Sequence, residues 1–106
     1  MNVFISADIE GTCGITDWSE TERSTPYDYN YFRKQMTMEV RAACEGAVAG
    51  GADEIFVRDA HDSARNIDPS QLPERVRIMR GWSGDLLSMM SGLDRGSFDA
   101  VLFTGY

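Results

Sequence analysis

Asn2–Thr12 reads NVFISADIEGT, and the rest of the chain is organised around it. Val3, Phe4 and Ile5 form a short apolar run of strand-forming residues. Two carboxylates, Asp8 and Glu10, close the run, and Gly11 follows at once. Side chains two residues apart on an extended strand point the same way, so Asp8 and Glu10 are expected on one face. A glycine directly after them permits a sharp turn. Carboxylates aimed together at the tip of a buried strand repel, and burying them unpaired is costly. A divalent cation resolves that conflict, so the tip reads as half of a metal site.

Outward from the strand, Gly11–Thr25 is a polar loop carrying Trp18, long enough to act as a lid or binding segment. Thr25-Pro26 then reads as a helix start, with Thr as cap, Pro in the first turn and Asp28 in support. Phe32, Met36, Val40, Ala43, Cys44, Ala47 and Val48 fall at steps of three and four, one apolar stripe on a helix that Gly50-Gly51 ends. Glu54–Arg58 (EIFVR) is a second strand, running into Asp59-Ala60-His61-Asp62. Strand, helix, strand is a βαβ unit, which implies parallel pairing. Ligands in open α/β sheets bind beyond the carboxyl ends of the strands, where Asp8, Glu10 and His61 all lie.

Farther along, Val76–Met79 is a third strand. Ser83 caps a short helix over Asp85–Ser91, with Leu86, Leu87, Met90 and Leu93 inward, and the apolar Ala100–Thr104 is a fourth strand expected at the sheet's centre. The pattern predicts a three-layer α/β/α fold with a mainly parallel sheet and element order β-α-β-β-α-β. The 106 residues are expected to form a single α/β domain. VLFTGY reads as the outgoing end of a buried strand, so the domain is expected to be the N-terminal part of a longer protein.

A formal charge of −7 argues against nucleic acid or an anionic membrane as partner. No run approaches the ~20 apolar residues of a membrane span. No basic region precedes the first strand, so no signal peptide is expected, and the cytoplasm is the expected location. Two cysteines are too few for a disulfide scaffold. Cys44 lies in the helical stripe as a core residue; Cys13 either borders a site or is an incidental loop thiol.

His61 is the one histidine. With Asp8 and Glu10 it makes the mixed nitrogen and oxygen donor set that zinc takes in catalytic sites. Adjacent strands lie ~4.8 Å apart, close enough for one ion to bridge their tips. Asp59 either orients the imidazole from behind, as metal-bound histidines require, or is a plain strand-end aspartate. Asn66 is a candidate for shaping the same loop. Trp18 and Trp82 either line a substrate cleft or pack.

Ser6-Ala7-Asp8-Ile9-Glu10-Gly11 resembles the S-x-D-x-E-G signature of the zinc-dependent D-aminopeptidases, cytoplasmic peptidases associated with dipeptide-transport operons in bacteria. The resemblance continues at Met36-Thr37-Met38-Glu39-Val40 with Ala42-Ala43, similar to the family's M-T-x-E-V-x-A-A segment. Asp59-Ala60-His61 is similar to its D-x-H, with Asn66 and Ile67 in matching places, and Gly105-Tyr106 looks like the start of its G-Y/M-H segment. Nearly all of this chain is covered, but only the front of the family's length.

The resemblance implies two zinc ions per active site. Asp8 would bridge them, and Glu10 and His61 would complete one ion's ligands. The second ion's remaining ligands, a histidine and a glutamate, and the catalytic histidine are expected beyond Tyr106. It further implies hydrolysis of short peptides with an N-terminal D-residue by metal-activated water, and a ring-like homo-oligomer enclosing the sites.

ISADIEGT also resembles the D-x-D-G-T strand tip of haloacid-dehalogenase-type phosphatases, in which Asp8 would be a nucleophile beside magnesium. Glu10 departs from that motif, and His61 would have no role. The remaining alternative is a non-enzymatic metal- or ligand-binding fragment.

Overall fold

The computed structural model describes all residues, Met1–Tyr106. Four strands, β1 (Asn2–Ala7), β2 (Glu54–Asp59), β3 (Val76–Met79) and β4 (Ala100–Thr104), form one sheet in the order β3-β2-β1-β4. Every pairing is parallel. Ala7 stands opposite both Asp59 and Thr104, so the carboxyl ends of β1, β2 and β4 finish level.

One helix, α1 (Pro26–Ala49), covers one face. Its Met36, Val40 and Cys44 pack against Val3, Ile5, Ile55 and Val57 of the sheet. Burial pushes the Cys44 thiol up to about 11, so it behaves as a small apolar core residue. The stripe holds except at its last position, where Val48 is exposed. Thr25 occupies the N-cap position without making the expected cap; its hydroxyl donates back to the Ser19 and Glu22 carbonyls. Gly51, at φ +94°, supplies the left-handed residue that ends the helix.

The other face carries Phe4, Phe56 and Phe98, with Phe4 and Phe56 stacked at 5.6 Å between centroids. No second α-helix covers them. The helix expected over Asp85–Ser91 is replaced by a single 3-10 turn, Ser88–Met90, with another at Leu93–Arg95. Leu86, expected inward, is fully exposed. The cause is local. Asp85 accepts from the Ser83 and Ser91 hydroxyls and from the Leu87 amide, a side-chain alternative to helical pairing. Gly84, Ser88 and Gly92 all take positive φ. Gly92 also has no room for a side chain, since a Cβ there would lie 2.6 Å from the Phe56 ring.

In the sheet formed by residues 1–106, β4 lies at the edge, and Val101, Leu102 and Phe103 are exposed. An apolar run signals burial on both faces without saying what covers it. No helix is long and apolar enough to cross a membrane.

Candidate metal centre

β1 stops at Ala7, so Asp8 and Glu10 lie in the turn beyond it and not on the strand itself. The backbone keeps them together. The Asp8 amide donates to the Thr104 carbonyl and the Gly11 amide to the Gly105 carbonyl, both at 2.8 Å, lacing the tips of β1 and β4. That approach excludes side chains on both sides. A Cβ at Gly11 would sit 2.2 Å from the Tyr106 carbonyl oxygen; one at Gly105, at φ +70°, would sit 2.0 Å from that of Asp8. Gly11 therefore serves close approach, whereas the left-handed residue is Gly105.

The parallel ladder carries on past β2, with the Ala60 amide donating to the Ala7 carbonyl at 2.8 Å. His61 follows and turns its ring toward the β1 tip. Its Nδ1 lies 3.2 Å from Asp8 Oδ1 and 3.1 Å from Glu10 Oε1. Its Nε2 lies 2.8 Å from the Thr21 carbonyl. A carbonyl can only accept, so Nε2 carries a proton and Nδ1 faces the carboxylates. In neutral His61 that leaves the Nδ1 lone pair aimed between two carboxylate oxygens.

The charges in this cluster are coupled. Burial alone would raise the Asp8 pKa, but contacts from His61, Glu10 and the Ile9 amide outweigh it and hold Asp8 below the usual range. Burial first, then the neighbouring Asp8, pushes Glu10 above its ordinary value. Burial works against the His61 imidazolium, yet Asp8, the Thr21 carbonyl and Glu10 together raise it above its ordinary value. Such a cluster attracts positive charge.

These residues fit a zinc ion. One ligand atom from each of Asp8, Glu10 and His61 lies within 4.8 Å of the others. Zinc–donor bonds of about 2.1 Å in a tetrahedron set donors about 3.4 Å apart, close to the spacing about Nδ1. Glu10 Oε2 is buried without a partner, an acceptor that a cation would satisfy.

Asp59 does not touch the imidazole. The Thr21 carbonyl, in a 3-10 turn at Trp18–Thr21, orients the ring instead. A backbone carbonyl leaves no mark in the residue type, so the sequence offered only a carboxylate, Asp59, as a candidate for that role. Asp59, fully buried, accepts from the Asn66 amide (2.6 Å), the Ile67 amide (2.8 Å) and Asn66 Nδ2 (2.8 Å). Asn66 Nδ2 also donates to the His61 carbonyl (2.7 Å), and Tyr29 Oη donates to Asn66 Oδ1 (2.6 Å). Asp59 and Asn66 therefore hold the backbone of the His61 loop, and Tyr29 ties that loop to α1.

A cleft of about 520 Å³ opens over the three candidate ligands, walled by Trp18 and Trp82. An adjoining hollow of about 280 Å³ shares Glu10, Trp18 and Thr21 with it. Both tryptophans thus line the cleft. Cys13 is exposed and lines neither space.

Comparison with known proteins bears on this geometry. The family described as D-aminopeptidase matches residues 1–106. No curated protein matches the chain. Among solved structures, the Zn-dependent D-aminopeptidase DppA from Bacillus subtilis, described as a self-compartmentalizing protease, superposes with a TM-score of 0.87 at 29% identity. The match covers 100% of this chain and 38% of that one, so the chain spans well under half the length of this relative.

Proposed function

The chain belongs to the D-aminopeptidase family, and from that premise we propose that it carries part of the active site of a zinc-dependent hydrolase of short peptides with an N-terminal D-residue. The observation that carries the reading is the convergence of Asp8, Glu10 and His61 Nδ1, with the imidazole tautomer set by the Thr21 carbonyl. The three residues are the proposed zinc ligands. Zinc there would supply Lewis acidity toward the scissile carbonyl and bring the pKa of a bound water to about 7. The chain's own residues prepare that chemistry. Asp8 and Glu10 contribute negative charge, Thr21 holds the ring, and the buried loop behind His61 fixes its depth.

A second zinc is part of the proposal, with Asp8 as the bridging carboxylate and the remaining ligands and the catalytic histidine outside these residues. On this reading, residues 1–106 are the N-terminal part of a longer peptidase. The 38% coverage of DppA supports it, as does an apolar β4 edge left uncovered. A homo-oligomer enclosing the sites is proposed from the self-compartmentalizing relative. The phosphatase reading is set aside by the family match and by the position of His61, which that reading left without a role.

The test is elemental analysis of the complete protein and of its Asp8→Ala and His61→Ala variants after dialysis without chelator. Zinc in the parent, reduced in both variants together with hydrolysis of D-aminoacyl peptides, is the expected result. Equal zinc in all three would sink the ligand assignment.

A further inference from the structure

Resting on the peptidase reading above, we propose that Trp82 is the wall of the substrate site against which the side chain of the substrate's N-terminal residue packs, held in place by Arg58. Both tryptophans of the chain line the cleft that contains the candidate ligands. Trp18 is 71% exposed and Trp82 45%, so neither is spent on the core.

Trp82 is fixed from several directions. The Arg58 guanidinium lies 4.3 Å from its ring centroid. Its Nε1–H donates to the Asp62 carbonyl, one residue beyond His61, at 2.5 Å. The preceding residue is clamped as well: Gly81 donates its amide to the Ala64 carbonyl (2.8 Å) and accepts Arg58 Nη1 at its own carbonyl (2.5 Å). The wall is thereby tied to both ends of the His61 loop.

Arg58 is fully buried on β2, and its Nε and Nη2 have no hydrogen-bond partner. A guanidinium so poorly satisfied is costly to bury. A flat cation under an indole is a defined interaction, and here it sets the height of a ring that lines the cleft. Arg58 does not line the cleft itself, so its role is to position Trp82.

Charge says which end of a peptide lies beside that ring. Apart from the two carboxylates assigned to zinc, the cleft lining keeps Glu22 and Asp62, with no lysine or arginine. The positive end of a short peptide is its free amino terminus, so that end is drawn inward. Asp62 is joined to Trp82 through its carbonyl, which places the ammonium-bearing residue next to the indole. An apolar or aromatic side chain on that residue has the exposed indole to pack against.

The test uses the complete zinc-loaded protein with D-alanyl-glycine and D-phenylalanyl-glycine as substrates, and D-phenylalanine and D-alanine binding by calorimetry. Trp82→Ala is expected to lower kcat/KM for D-phenylalanyl-glycine at least tenfold and for D-alanyl-glycine less than threefold, with zinc content unchanged. D-Phenylalanine affinity should fall in parallel, and Trp82→Phe should restore most of both. Should Trp82→Ala fail to fold, Trp82→Gln carries the same comparison. Arg58→Met is expected to raise KM for D-phenylalanyl-glycine with little change in kcat, and Arg58→Lys to recover it. Equal losses on both substrates, or unchanged D-phenylalanine binding in the Trp82 variants, overturn the assignment. Wild-type protein that hydrolyses neither substrate overturns the peptidase reading instead.

Discussion

Two segments face each other across the cleft, and they are held in opposite ways. The His61 loop is anchored from within: Asp59, Asn66 and Tyr29 are buried, and the acceptors of Asp59 and Asn66 are all engaged. The Ser83–Ser91 segment that follows Trp82 is anchored from without, by an exposed Asp85 that gathers Ser83, Ser91 and the Leu87 amide. A ligand for a small ion needs its donor atoms placed to within a few tenths of an ångström, and a buried, satisfied network provides that rigidity. The Ser83–Ser91 segment, built from glycine and surface contacts, has more freedom, whereas Trp82 just before it is tied to the His61 loop.

The largest effect that would break this contrast is Asp59→Ala. It leaves the Asn66 amide, the Ile67 amide and Asn66 Nδ2 without their buried acceptor. The expected cost is about 3 kcal/mol or more, read by chemical denaturation, together with loss of zinc. A cost under about 1 kcal/mol, within the range of an ordinary surface change, would show that the loop does not depend on this network.

Gly105→Ala tests the other anchor of the site. Backbone strain at φ +70° costs about 1–3 kcal/mol, and the clash with the Asp8 carbonyl adds to it. Zinc affinity is expected to drop at least tenfold as Asp8 is displaced. Ala substitution at Gly84, also at positive φ but with nothing within 4 Å, should bear the strain alone and leave zinc affinity within twofold.

A pH series separates the two segments by where they titrate. The folded His61 pKa lies above the ordinary 6.5, so its contribution to the metal-free protein is complete below that value and disappears as pH climbs through the raised one. Zinc affinity should run the other way, increasing over the same interval as the Nδ1 proton leaves. Glu10, also raised, contributes below its ordinary 4.5, while Asp8, lowered from 3.8, contributes above that value and fades as pH falls through its depressed one. Asp85 is depressed to about 2, so its staple should persist unchanged across the neutral range. Thermal melts of metal-free protein from pH 6 to 9 check the first sign, and competition titrations with a chelator check the second. Stability that rises with pH in the metal-free protein would contradict the His61–carboxylate coupling.

The smallest effect is expected from Asp85→Asn. Ser83, Ser91 and Leu87 lose their shared anion, amide exchange at Leu87 should quicken, and zinc affinity should stay within twofold of the parent. A large loss of zinc would mean that the two segments are not independent.

The regular elements were legible because their periodicity depends on local spacing. α1 and the four strands fall close to where the apolar pattern puts them. The segment after β3 was misread because leucines at helical spacing compete with an Asp85 side chain that captures the same backbone. β4, expected at the centre, lies at the edge of the sheet that residues 1–106 form, since an apolar run reports burial and not what buries it. At the site, residue types pointed to Asp8, Glu10 and His61, which the fold brings together. They left Asp59 either behind the imidazole or as a plain strand-end aspartate, and the structure has the Thr21 carbonyl at the ring. Arg58 drew no notice, since a charged residue at a strand end ordinarily reaches solvent.

By itself, the sequence determined the parallel α/β frame, the family, and which side chains have the chemistry of a metal centre, because spacing and residue type act locally. Only the tertiary structure decided that two glycines let β1 and β4 meet, that a backbone carbonyl sets the imidazole tautomer, and that a buried arginine lies beneath a cleft-lining tryptophan. Each of those joins atoms distant along the chain, through steric room, a main-chain acceptor or a stacked face that residue identity alone does not encode.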